Sequence, residues 1–279
     1  MAYLLALLAS VFYGSADFLA GLAARRTTTF PVVVLSQVAG LALLVAAVAV
    51  LPGAVPRPAD FAWGVAGGIA SGVGVGLLYH ALAIGTMSVV APVTAVCAVV
   101  VPVVAGLAFG ERPHPTALAG IALAMAAVVM ISQEAPHPGD DGTPGRALPL
   151  ALVAGAAIGV FYVFLERTGA EAGLWPMLAT RLVSVLLFLG GGLVRREPLE
   201  PPRRAIPTIV AAGLLDTLAN VLYLLAVRQG MLSVVATLAS LYPATTVLLA
   251  RAVLRERLQR IQAAGVACAA VAIVLITAA

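Results

Sequence analysis

The sequence carries one five-run apolar pattern twice, and five is an odd number. Ser88 to Ser132 is an apolar run, a short charged elbow and a second apolar run, and Ser233 to Thr277 repeats it at a constant offset. In register, Ser88-Val89-Val90-Ala91 meets Ser233-Val234-Val235-Ala236, Glu111-Arg112 meets Glu256-Arg257, and Ala119-Gly120 meets Ala264-Gly265. Matches of Ala and Val carry little weight in so apolar a chain; a Glu-Arg break followed by Gly at one register carries far more. Further back, Leu78-Tyr79 is echoed by Leu222-Tyr223, and Phe12-Tyr13-x-x-x-Asp17 by Phe161-Tyr162-x-x-x-Glu166. Each run has the length of a bilayer crossing. An odd number of crossings per copy makes the second copy enter from the opposite face, so the pair forms an inverted-topology repeat, the arrangement of many secondary transporters.

Composition agrees. Hydrophobic residues make up 62% of the 279 and charged residues 10%, whereas a soluble domain carries roughly 25% charge. No water-facing surface can be built from that inventory. The expected fold is an all-α membrane protein of ten transmembrane helices in two inverted five-helix repeats. The spans read as 2–24, 30–51, 61–85, 88–109, 115–133, 148–168, 174–194, 207–229, 231–254 and 258–278. The first repeat is then 1–133, the Pro- and Gly-rich stretch 134–147 a linker, and 148–279 the second repeat. The first run lacks a positive n-region, and Arg25-Arg26 follow it, so it reads as a permanent span rather than a cleaved signal. The Lys and Arg positions are all Arg, and apart from Arg181 they fall between spans or near span ends, with no stripe for nucleic acid. Cys97 and Cys268 sit inside apolar runs without metal-ligand spacing and read as small core residues, so no metal or cofactor is expected.

Two patterns bear on helix packing. Gly64, Gly68, Gly72 and Gly76 recur every four residues in the third span and form one glycine face suited to close helix approach. Pro92 and Pro102 in the fourth span and Pro243 in the ninth each remove a backbone donor and free a carbonyl. Those groups must be satisfied inside the bundle or by a wet cavity, so each proline is either a kink or part of a pathway.

Polar groups inside spans are the functional signal, because an ionised one costs about 2.5–3.5 kcal/mol at mid-bilayer on insertion scales. Tyr13 and Asp17 share one helix face, and Tyr162 with Glu166 repeats the pair in the second half. Together they suggest two carboxylates around the pseudo-two-fold axis, suited to a cation or proton site; the alternative for Glu166, beside Arg167 near the end of its span, is a plain interfacial position. Asp216, Asn220 and Tyr223 form a stripe on the eighth span, either facing a cavity or gluing helices. Arg181, deep in the seventh span, must have a partner: it neutralises Asp216 or binds a substrate carboxylate. His80, beside the candidate Tyr79, is a weaker one that also reads as a hydrogen-bonded packing residue, and the Glu111-Arg112 and Glu256-Arg257 elbows read as helix-end anchors.

These residues resemble the drug/metabolite transporter superfamily, in particular its EamA-type members. The resemblance rests on Gly110-Glu111-Arg112 and Arg255-Glu256-Arg257 with Gly120 and Gly265 behind them, on Pro243 before the second elbow, on Phe12-Tyr13-Gly14-Ser15 and on Arg181. It extends over nearly the whole chain. Tyr13 stands where that family usually has Trp, and Ala98 matches the position of Pro243. The resemblance implies a ten-helix carrier, not an enzyme, in the plasma (inner) membrane. Such a carrier moves small metabolites, amino-acid-like or cationic, by alternating access, as an exporter, with the proton as a candidate coupling ion. A lipid flippase or accessory membrane subunit of the same fold is the alternative. The expected partners are a small-molecule substrate and the lipid bilayer. The Arg distribution favours both termini outside, whereas the resemblance implies cytoplasmic termini.

Overall fold

The structure is a computed structural model that describes residues 1–51, 54–85, 87–133, 144–195, 200–255 and 258–279. The second elbow, Glu256-Arg257, and most of the expected linker lie outside these residues. The described chain is helical: α1 (Ala2–Ala24), α2 (Thr29–Val50), α3 (Pro58–Ile84), α4 (Met87–Ala108), α5 (Pro115–Ile131), α6 (Pro144–Glu166), α7 (Trp175–Arg195), α8 (Ile206–Val227), α9 (Leu232–Ala239), α10 (Tyr242–Leu254) and α11 (Arg260–Thr277). α9 and α10 together make the ninth span and α11 the tenth. Helices are what a membrane permits such a chain, since lipid offers no partner to a free N–H or C=O. Prolines at the first turns of α3, α5 and α8 start helices where the missing N–H costs nothing. α5 is the shortest span, with 17 residues, about 26 Å at 1.5 Å per residue.

The ninth span differs from expectation. Pro243 does more than kink it: the helix stops at Ala239 and restarts at Tyr242, with Pro243 in the first turn of α10. A proline ring collides with the carbonyl four residues back, which here is that of Ala239. The break is stitched locally. Ser240 donates its backbone N–H to Ala236 (3.0 Å), its hydroxyl bonds the carbonyl of Thr237 (2.6 Å), and Thr246 Oγ1 reaches across to the carbonyl of Gly14 on α1 (3.1 Å). Pro92 and Pro102, by contrast, lie within an unbroken α4.

The two halves interlock. α1 packs on α8, and its repeat mate α6 packs on α3; α4 packs on α6 as α9 and α10 pack on α1; α3 meets α7 as α2 meets α8. α5 and α11, which are mates of each other, form their own pair. Exchanging the halves maps this pattern onto itself, as an inverted repeat requires. Nearly every extensive helix contact therefore joins one half to the other.

Glycines set how close these helices come. A Cβ on Gly120 would lie 3.0 Å from the carbonyl oxygen of Ala272 on α11, and one on Gly265 would lie 3.1 Å from that of Ala127 on α5. The duplicated Gly is thus one close contact seen from both sides. The α3 stripe faces α7: Gly64 abuts Pro176, Gly68 abuts Thr180 and Gly72 abuts Leu187, while Gly76 has nothing within 4 Å. Close backbone approach is what small residues contribute where lipid removes the hydrophobic drive between helices. A hydroxyl adds to it, as Thr180 Oγ1 donates to the carbonyl of Gly64 at 2.7 Å.

Candidate functional site

Helix polarity divides the loops between two faces. The terminus face carries Met1 and the described parts of the connections at 51, 54–57, 109–114, 167–174 and 228–231; the linker face carries those at 25–28, 85, 132–133, 200–205 and 258–259.

Between the halves lies a central cavity of 260 Å³, with walls from α1, α2, α3, α6, α7, α8 and α10. Its polar floor is one network. Arg181 Nη2 donates to Asp216 Oδ2 at 2.6 Å and to Thr217 Oγ1 at 3.1 Å, and Nη1 donates to Gln37 Oε1. The guanidinium thus ties α2, α7 and α8 together, with a side chain only 8% exposed. Asn220 Nδ2 donates to the carbonyl of Asp216 (2.8 Å), and its Oδ1 accepts from the hydroxyl of Tyr13 (3.0 Å), which brings α1 into the same network.

Asp17 stands apart from this. It begins about 23 Å up α1 from Ala2, at 1.5 Å per residue, well inside the bundle, yet its side chain is exposed because it faces the cavity. Among the described residues no cation and no hydrogen-bond donor pairs with it. Arg181 already balances Asp216, so when both carboxylates are ionised the cavity holds one excess negative charge.

A second chamber of 310 Å³ adjoins the first and shares Asp17, Tyr162 and Tyr242 with it. Its walls are mostly apolar, among them Leu82, Val99, Ile131 and Val247, and it runs to the linker-face ends of α5 and α11 at Ser132 and Gln262. Ser240 and Pro243 also line it, so the break in the ninth span is part of the chamber wall. Pro92 and Pro102 line neither space.

At the terminus face several contacts tie the two halves together. Glu111 Oε2 accepts from the backbone N–H (3.0 Å) and the hydroxyl (2.6 Å) of Ser233, and Oε1 accepts from the N–H of Leu232. A first-half carboxylate therefore caps the N-terminus of a second-half helix, where free N–H groups and the helix dipole favour negative charge. Asp60 Oδ1 accepts from the N–H of Gly169 (2.7 Å), and Arg228 holds the carbonyl of the same Gly169 (2.9 Å). The guanidinium of Arg167 lies 3.7 Å over the ring of Phe109.

Among the sequence candidates, Tyr13, Asp17, Tyr79, Tyr162, Arg181, Asp216 and Asn220 all border the central cavity. Glu166 does not. It ends α6 at the terminus face, 3.4 Å from Arg167. The reason is the inversion itself: an in-plane two-fold carries a group on the linker-face side of the midplane to the terminus-face side, so Asp17 and its repeat mate cannot share one site. Tyr223 lies on the expected stripe of α8 but about one turn beyond Asn220. It is fully buried, with its ring centroid 4.6 Å from that of Tyr162, and lines neither space. His80 is exposed and lies outside both spaces. Gln37 and Thr217, which are not among the sequence candidates, complete the network. Gln37 interrupts the apolar run of α2, a signal of the kind that marked Arg181; Thr217 gave none.

A ten-helix bundle of interlocked inverted halves, with a charged cavity at their junction, defines a membrane carrier. The EamA-like transporter family model matches residues 1–133 and 145–278, and the chain belongs to that family. It is thus a multi-pass integral membrane protein and a membrane transporter of the drug/metabolite type, from a family of transporters rather than enzymes. A solved crystal structure superposes with a TM-score of 0.82 at 16% identity, covering 99% of this chain and 96% of that one; this likeness concerns the fold. No curated protein matches the chain.

Proposed function

We propose that the protein is a secondary transporter, an exporter of the plasma (inner) membrane, that carries small positively charged or amino-acid-like solutes by alternating access. The observation that carries this reading is Asp17: a carboxylate with no counter-ion among the described residues, facing a cavity between two inverted halves. Keeping a carboxylate there is costly unless something positive visits it. A proton and a cationic solute would compete for it, and that competition is the simplest form of proton coupling. The cross-half ties at the terminus face would form the closed gate, and the chamber toward the linker face the entry. Rocking of one half against the other would reverse the two.

The test is flux in proteoliposomes with an imposed pH gradient. Amine or amino-acid efflux driven by the gradient, and lost in Asp17→Asn, is the expected result. Gradient-driven flux unchanged in Asp17→Asn would remove Asp17 from the mechanism. Absence of solute flux together with movement of a labelled lipid would favour the flippase alternative, for which the apolar chamber is the supporting observation.

A further inference from the structure

The two adjoining spaces differ sharply in chemistry and meet at one carboxylate. The central cavity presents the Arg181 network and Asp17; the chamber beside it offers aliphatic walls from α3, α4, α5 and α10, and Asp17 forms part of both linings. A solute carboxylate would have to recruit Arg181, whose charge is already met by Asp216 at 2.6 Å and whose two Nη atoms already donate to Gln37, Asp216 and Thr217. Capturing it would leave Asp216 without a counter-ion, a cost that its one open side on the cavity reduces but does not remove. A cationic group meets no such obstacle at Asp17.

From this we infer that the apolar chamber is a second binding subsite, and that the preferred ligand is an amphipathic organic cation without a carboxylate. Its charged end sits on Asp17 and its apolar body lies in the 310 Å³ chamber among Leu82, Val99, Ile131 and Val247. The inference rests on the transporter reading above and narrows its solute class. The chamber is of the size at which pockets enclose small drug-like bodies. The aromatic walls Tyr162 and Tyr242 lie at the junction of the two spaces, and a cation passing over either ring face would be attracted by its quadrupole.

Four probes separate the terms: phenylethylamine, phenylalanine, ethylamine and phenylacetate, each titrated into the purified full-length protein in nanodiscs and followed by thermal stability and calorimetry. Phenylethylamine is expected to bind at least about tenfold more tightly than phenylalanine and than ethylamine, with phenylacetate weakest. Asp17→Asn should lose the amine preference. Ala98→Phe, which fills the chamber, should weaken phenylethylamine while leaving ethylamine unchanged; retained ethylamine binding shows that the variant is folded. Equal or tighter binding of phenylalanine would overturn the exclusion of carboxylates. Equal binding of ethylamine and phenylethylamine, or no effect of Ala98→Phe on either, would overturn the chamber as a subsite. Both results would leave the transporter reading intact, whereas failure of any solute to bind or cross in proteoliposomes would sink both.

Discussion

Arg181 and Asp216 face each other across α7 and α8 at 2.6 Å, with the arginine side chain 8% exposed and the aspartate 39%. The pair is therefore asymmetric. The cation is locked in protein, while the anion keeps one side on the cavity. Arg181→Gln should lower stability by about 3 kcal/mol, the lower end for breaking a buried pair, because Asp216 can rehydrate from the cavity. The double variant Arg181→Leu/Asp216→Leu should cost less than the sum of the single Leu variants. A double-mutant cycle on thermal melting in detergent checks this, and strict additivity would mean that the two groups do not interact.

Asp17 has no partner among the described residues, so its removal should behave oppositely. Asp17→Asn is expected to leave the melting temperature unchanged or raise it while abolishing affinity for amines. Protons and amines compete for one carboxylate, so in the unaltered protein the apparent affinity for a permanently charged quaternary amine should fall as pH is lowered. In Asp17→Asn that slope should vanish. Binding titrations at several pH values decide the matter.

The cap that Glu111 places on α9 joins the halves at the terminus face. Glu111→Ala should cost about 1–2 kcal/mol, as lost N-caps do. Since the bond crosses between halves, it should also loosen that face. Cysteine labelling at Arg112→Cys should then be faster in the Glu111→Ala background than without it. Equal labelling rates would mean that the cap stabilises the fold without holding the gate.

Gly120→Leu and Gly265→Leu each drive a side chain into the opposing backbone and should each destabilise by about 1–3 kcal/mol, the range for overpacking. Gly76→Leu, with open space around the glycine, should be nearly neutral. Melting curves of the three variants provide the comparison, and a neutral Gly120→Leu would contradict the close approach of α5 and α11.

Legibility in the sequence followed cost. An ionised group in lipid is expensive, so Asp17, Arg181 and Asp216 stood out at once and all proved to border one cavity. Duplication did the same for Glu111 and for Gly120 with Gly265, whose spacing encodes contacts between halves. Thr217 was invisible because a threonine hydroxyl can satisfy itself on its own helix, as it does here on the carbonyl of Gly213 at 2.9 Å. Glu166 takes the interfacial alternative rather than the shared site: a repeat in sequence says which residues correspond, whereas depth in the membrane is reversed by the inversion. Pro243 interrupts its helix where Pro92 and Pro102 do not, and a proline in an apolar run reads the same in all three places.

The interlocking of the halves has a consequence during synthesis. The principal neighbour of α1 is α8, which leaves the ribosome only after roughly 200 further residues, or about 10–40 s at ordinary translation rates. For that interval the first five helices stand in the bilayer with their glycine faces and Asp17 unmet, held by lipid and the insertion machinery alone. A nascent chain stalled at residue 133 is therefore an orphan awaiting assembly, and a separately made second half supplied in time should be able to rescue it.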